Sequence, residues 1–139
     1  MNTDSATPTP AQPRPLILIV EDEAPVRELL SAYLEFRGYE VIAAEDGLRG
    51  VAAFKERRGA VRAVLTDTMM PGMDGVAVVR AIREMDQRVP IISASGCPDP
   101  GTVGQLKALN VTAFLRKPYL ATEMGNLVDA VTHDYPPAP

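Results

Sequence analysis

The chain has 139 residues, 46% hydrophobic and 23% charged, which fits one globular domain with a sizeable core. A net charge of −4 and a pI near 5 leave no basic footprint for nucleic acid, and one cysteine with one histidine excludes a disulfide framework or a structural zinc site. No apolar run approaches the ~20 residues of a membrane-spanning helix, and "MNTDSATPTPAQPRP" has neither the basic nor the apolar part of a secretory signal. A cytoplasmic protein is expected, with neither nucleic acid nor membrane as a partner.

Residues 1–15, with four prolines among Thr, Ser, Ala and Gln, read as a disordered tail, and so do residues 134–139. Between them, residues 16–133 form the expected domain. "LILIV" (16–20) is an apolar run of strand length, suited to burial on both faces. Helical spacing follows in Val26, Leu29, Leu30, Tyr33 and Leu34, with Pro25 in the first turn and Gly38 at the C-terminal cap. "YEVIAA" (39–44) predicts a second strand and 46–58 a helix with Leu48, Val51 and Ala52 inward. A third strand at 60–66 leads to a helix at 75–85 with Val76, Val79 and Ile82 inward. "VPIISA" (89–94) predicts the fourth strand and 102–110 a weak helix, because glycines disfavour it. "TAFLR" (112–116) is the fifth strand, and 122–134 a last helix with Met124, Leu127, Val128 and Val131 inward. Five unbroken βα units predict a doubly wound α/β fold: a five-stranded parallel sheet with helices on both faces.

Ligands of such sheets bind beyond the carboxyl ends of the strands, where strand order reverses. The first strand ends in Glu21-Asp22-Glu23, the third in Asp67, the fourth in Ser93-Ala94-Ser95-Gly96 and the fifth in Lys117-Pro118. Each has a plain structural reading. Asp22 suits a helix cap, Asp67 a turn before Pro71-Gly72, Ser95-Gly96 a loop, and Lys117 a solvated surface. Together they read differently, because converging carboxylates repel unless a cation joins them. An all-oxygen cluster suits Mg²⁺, which takes one or two carboxylates and keeps several waters.

The segments "LIVED" (18–22), "LTDTMMPGMDG" (65–75), "PIISASG" (90–96) and "FLRKPY" (114–119) stand in the order and at the intervals of one family. Over roughly residues 15–133 the chain resembles the receiver domain of two-component response regulators, of the chemotaxis-receiver kind. The resemblance implies the flavodoxin-like strand order 2-1-3-4-5. It makes Asp67 the phosphoacceptor, with Mg²⁺ held by Asp22, Asp67, Glu21 through water, and the backbone carbonyl of Met69. Lys117, Ser95 and Gly96 would contact the phosphoryl group, and Phe114 would be the aromatic coupled to movement of Ser95. The Lys117-Pro118 bond would be cis. The phosphodonor would be a histidine kinase or a histidine phosphotransfer protein, and the output a protein target bound by a monomer or a phosphorylation-dependent dimer. The protein would then not be an enzyme in the usual sense, but a phosphoacceptor that catalyses its own phosphotransfer and dephosphorylation.

Three features depart from the commoner pattern or bear on it. Glu21 stands where Asp is commoner, Ser95 where Thr is, and "GCPDPG" (96–101) should leave the fourth helix short and late to start. Met69 and Cys97, two residues after the acceptor and the switch hydroxyl, are poor hydrogen-bond partners for an attacking water, which implies a long-lived phosphorylated state. A haloacid-dehalogenase-like phosphatase would need a second Asp where Met69 stands. A pseudo-receiver that binds partners without phosphorylation, or the receiver of a hybrid sensor kinase, are the other readings; the polar tails favour a stand-alone regulator.

Overall fold

The computed structural model describes residues 14–68, 75–96 and 99–133. The tail assignments for 1–13 and 134–139, and the residues Met69 and Cys97, lie outside these. The elements are β1 (Leu16–Val20), α1 (Ala24–Phe36), β2 (Glu40–Ala44), α2 (Gly47–Glu56), β3 (Val61–Asp67), α3 (Gly75–Met85), β4 (Ile91–Ser95), α4 (Pro100–Ala108), β5 (Ala113–Arg116) and α5 (Ala121–His133). All neighbouring strands are parallel, in the order β2-β1-β3-β4-β5. This is the flavodoxin-like order, with the reversal of strand order at β1 and β3.

Alternation along the strands divides the core in two. Leu16, Leu18, Val20, Val64 and Ile91 face a layer containing Phe54 of α2, Val79 and Ile82 of α3 and Leu106 of α4. Ile17, Ile19, Leu65 and Ile92 face Leu30 and Leu34 of α1 and Met124, Val128 and Val131 of α5. Central strands buried on both faces are therefore continuous apolar runs, while the edge strands β2 and β5 are partly exposed.

Three helices differ in part from the sequence expectation. In α2 the inward residues are Gly47, Gly50 and Phe54, whereas Leu48 is exposed and Ala52 faces solvent. The cause is a close approach: a Cβ on Gly50 would lie 2.7 Å from a methyl of Val20, so the glycine face meets the sheet. Helix α4 begins at Pro100, two residues before the expected start. Proline suits a first turn, and Asp99 caps it by accepting from the Thr102 amide at 2.9 Å. It is nonetheless short, and Leu106 is its one buried residue. In α1, Leu29 lies outside the buried stripe and is 61% exposed. The inward faces expected for α3 and α5 are those observed.

Candidate functional site

Register brings the strand ends level. Val20 pairs with Thr66, so Glu21 and Asp67 follow side by side, and Ser95 pairs with Arg116, so Lys117 follows Ser95. Backbone bonds extend the ladders past the strands: Glu21 N–H donates to Ala44 O at 3.0 Å, Thr68 N–H to Ala94 O at 3.0 Å and Lys117 N–H to Ser95 O at 2.9 Å. The rim is thus held by main chain, and its side chains can serve other ends.

Carboxylate oxygens of Glu21, Asp22 and Asp67 lie within 4.8 Å of one another. Lys117 Nζ donates to Asp67 Oδ2 at 2.8 Å and lies 3.6 Å from Glu21 Oε1. Glu21 and Asp67 are buried, and Asp22 is the more open of the three. Asp22 is not the helix cap that one plain reading made it: the N-cap of α1 is Glu23, with no side-chain capping bond. Burial pushes the Glu21 carboxyl above its usual range; the Glu23 amide, donating to it at 3.1 Å, and the Lys117 charge oppose this. For Lys117, burial would lower the pKa, but the hydrogen bond and charge of Asp67 and the charge of Glu21 outweigh it and raise it. Burial likewise raises the Tyr119 hydroxyl.

Ser95 and Gly96 follow β4 at the same rim. The Ser95 hydroxyl is buried and has no hydrogen-bond partner among the described residues. Phe114 stands apart from the acidic cluster, on β5, 41% exposed. The Lys117-Pro118 bond is cis. An oxygen-only set of three acids, two of them buried, fits a hard divalent cation such as Mg²⁺.

Two contributors were not singled out from the sequence. Arg27, one turn into α1, reaches back to donate to the carbonyls of Glu21 at 2.9 Å and Asp22 at 3.3 Å, fixing the loop that carries both acids. An arginine shortly after an acidic strand end is too common to mark this role. Gly75 opens α3 against the end of β3: a Cβ there would lie 2.3 Å from the Cα of Thr68. Its "DG" dipeptide reads as a turn in sequence, but this contact depends on the packing.

The model of the response regulator receiver domain matches residues 17–131. The chain belongs to that family. As a receiver, it is part of two-component signal transduction and is a phosphoacceptor module rather than a conventional enzyme. Among curated relatives, the transcriptional activator protein PfeR of Pseudomonas aeruginosa is 34% identical over 86% of this chain and 38% of its own length. The chain spans between a third and a half of the first curated relatives, from 32% to 50%. Among solved structures, chemotaxis protein CheY4 of Vibrio cholerae aligns with a TM-score of 0.78 at 28% identity, covering 85% of this receiver and 98% of that chain. The CheX–CheY complex of Borrelia burgdorferi, which contains beryllofluoride and magnesium, aligns with a TM-score of 0.77 at 26% identity, over 84% and 87%. Among the described residues no helix is long and apolar enough to cross a membrane.

Proposed function

We propose that this receiver accepts a phosphoryl group on Asp67 from the phosphohistidine of a histidine kinase or histidine phosphotransfer protein, and so switches a surface that binds a downstream protein. The observation that carries this is the placement of Lys117 Nζ 2.8 Å from Asp67 Oδ2 within the cluster of Glu21 and Asp22. In the transfer, an Asp67 oxygen forms a bond to phosphorus while the phosphorus–nitrogen bond of the donor breaks and its electron pair returns to the imidazole.

Asp22, Asp67, Glu21 through a water, and the Met69 carbonyl would hold Mg²⁺. When bound, the ion neutralises charge on the phosphoryl oxygens. Lys117 does the same from the protein side, which lowers the barrier where charge is redistributed. Register sets Ser95 one residue beyond Ala94, the strand partner of Asp67, from where its unpaired hydroxyl would turn to the phosphoryl group, with the Gly96 amide beside it. Phe114 then moves inward, and the exposed face of α4 and β5 changes shape.

A groove of about 520 Å³ beside the site is lined mainly by apolar side chains, among them Val26 and Leu29 of α1, Pro118, Tyr119 and Ala121. It shares Lys117 with the acidic cluster and supports docking of the phosphodonor there. A cytoplasmic location accords with such a donor. Incubation with acetyl phosphate and Mg²⁺ tests the reading: the wild type should be labelled, and chelation should abolish labelling. Undiminished labelling in the presence of excess chelator would overturn the metal assignment.

A further inference from the structure

Helix α4 is held to the fold mainly at its C-terminal end. Leu106 is its one buried residue, and Leu109 and Val111, just beyond it, pack against the same core cluster. None of its residues before Leu106 belongs to either core cluster. Asp99 caps the first turn by accepting from the Thr102 amide at 2.9 Å and the Thr102 hydroxyl at 2.7 Å, bonds that stay within that turn. A Cβ on Gly104 would meet nothing within 4 Å.

An arginine from another helix grips the C-terminal end. Arg83, in the last turn of α3, is 8% exposed. Its Nε donates to Leu109 O at 2.8 Å and its Nη2 to Asn110 O at 2.9 Å. Its Nη1 donates to Val89 O at 2.8 Å and Asp86 O at 3.2 Å, in the loop between α3 and β4. Leu109 is the C-cap of α4, and Asn110 after it is left-handed, at φ 59°. Carbonyls at such an end have no intrahelical N–H to pair with and carry the negative end of the helix dipole. The planar guanidinium meets both of them and the loop at once, which a flexible ammonium would not do.

We infer that Arg83 is a positioning residue for the output face: it fixes the C-terminal end of α4, so that the helix answers phosphorylation by moving its N-terminal half about that end. The inference rests on the switch proposed above, in which Ser95 turns to the phosphoryl group. Only residues 96–98 separate Ser95 from Asp99, so the loosely held end of α4 is also the end joined to the switch. The gripped end leads into β5 through Thr112, whose amide donates to Ile91 O at 2.8 Å and whose hydroxyl accepts from the Ile91 amide at 3.0 Å. Segments with few buried contacts yield first, and here that segment is the half of α4 before Leu106.

Nitrogen-15 NMR of the full chain, with and without beryllofluoride and Mg²⁺, tests this. In the wild type the adduct should shift the amide signals of Asp99 and 101–105. Those of Leu109, Asn110 and Val111, and the side-chain Nε–H signal of Arg83, should stay within a linewidth. Arg83→Lys keeps the charge but loses the planar fork, so the shifts should spread to Leu109, Asn110 and Val111, while unmoved Ile17 and Ile19 amides report an intact core. If the wild-type Nε–H signal and the amides of 109–111 move as far as those of 101–105, the helix shifts as a whole, and the role of Arg83 is wrong while the switch stands. Shifts still confined to 99–105 in Arg83→Lys would also overturn it, because the end would then be fixed without the arginine. Should that variant fail to fold, the wild-type Nε–H signal still decides. If the adduct moves signals around Asp67 and none in 99–111, the switch itself fails, and the inference with it.

Discussion

At Lys117, burial and charge pull in opposite directions, and the carboxylates win. The ammonium is therefore held charged beside Asp67, ready to meet added negative charge. A charge-assisted hydrogen bond contributes about 1.5–3 kcal/mol, so Lys117→Met should slow labelling by small phosphodonors roughly tenfold or more. Initial rates of acetyl phosphate labelling at fixed Mg²⁺ check this; an unchanged rate would leave Lys117 with a structural part only. Hydrolytic loss of the phosphoryl group would depend on residues of a different kind. Hydrolysis needs a polar group to hold water in line with the oxygen–phosphorus bond, and Met69 and Cys97 offer a thioether and a thiol. Met69→Asn should therefore speed decay of labelled protein severalfold while labelling is retained. Equal half-lives after donor removal would place the orienting group elsewhere.

Helices and strands meet the site through a few close approaches. Gly75 has no room for a side chain, since the Thr68 backbone occupies the place of a Cβ, so Gly75→Ala should destabilise by about 1–3 kcal/mol. Gly104 of α4 has nothing within 4 Å of that place, and Gly104→Ala should instead stabilise by about 0.5–1 kcal/mol. Opposite shifts in urea midpoints, with unchanged slopes, would bear out both. The same contacts explain what the sequence made legible. Apolar runs at 16–20 and 91–92 mark strands because a two-sided core leaves no solvent face for a polar residue. The acids and Lys117 at strand ends were readable because strand direction alone sends them to one rim. The inner face of α2 was legible only at Val51, which packs against the core, because Gly47 and Gly50, without side chains, carry no hydrophobic signal. Arg27 acts through partners that only packing supplies, the carbonyls of Glu21 and Asp22 in the loop before its helix.

Across the whole molecule, the acidic rim is a local source of instability that a bound cation would relieve. Three carboxylates within 4.8 Å of one another repel in the absence of metal, and Lys117 offsets this only in part. Metal-free Asp22→Asn should consequently melt no lower than the metal-free wild type. Saturating Mg²⁺ should raise the wild-type midpoint, by the equivalent of about 2.7 kcal/mol at a hundredfold excess over Kd, but not that of the variant. Equal responses of the two proteins in a calorimetric titration would remove Asp22 from the metal site. The central claim is that the strand-end carboxylate of Asp67 becomes an acyl phosphate. Its most direct test is to phosphorylate the chain with acetyl phosphate and Mg²⁺, reduce with borohydride, and locate the modified residue by peptide mass spectrometry. Homoserine at position 67, absent without donor and absent in Asp67→Ala, is the predicted result; reduction at another acid, with residue 67 intact, would contradict the account.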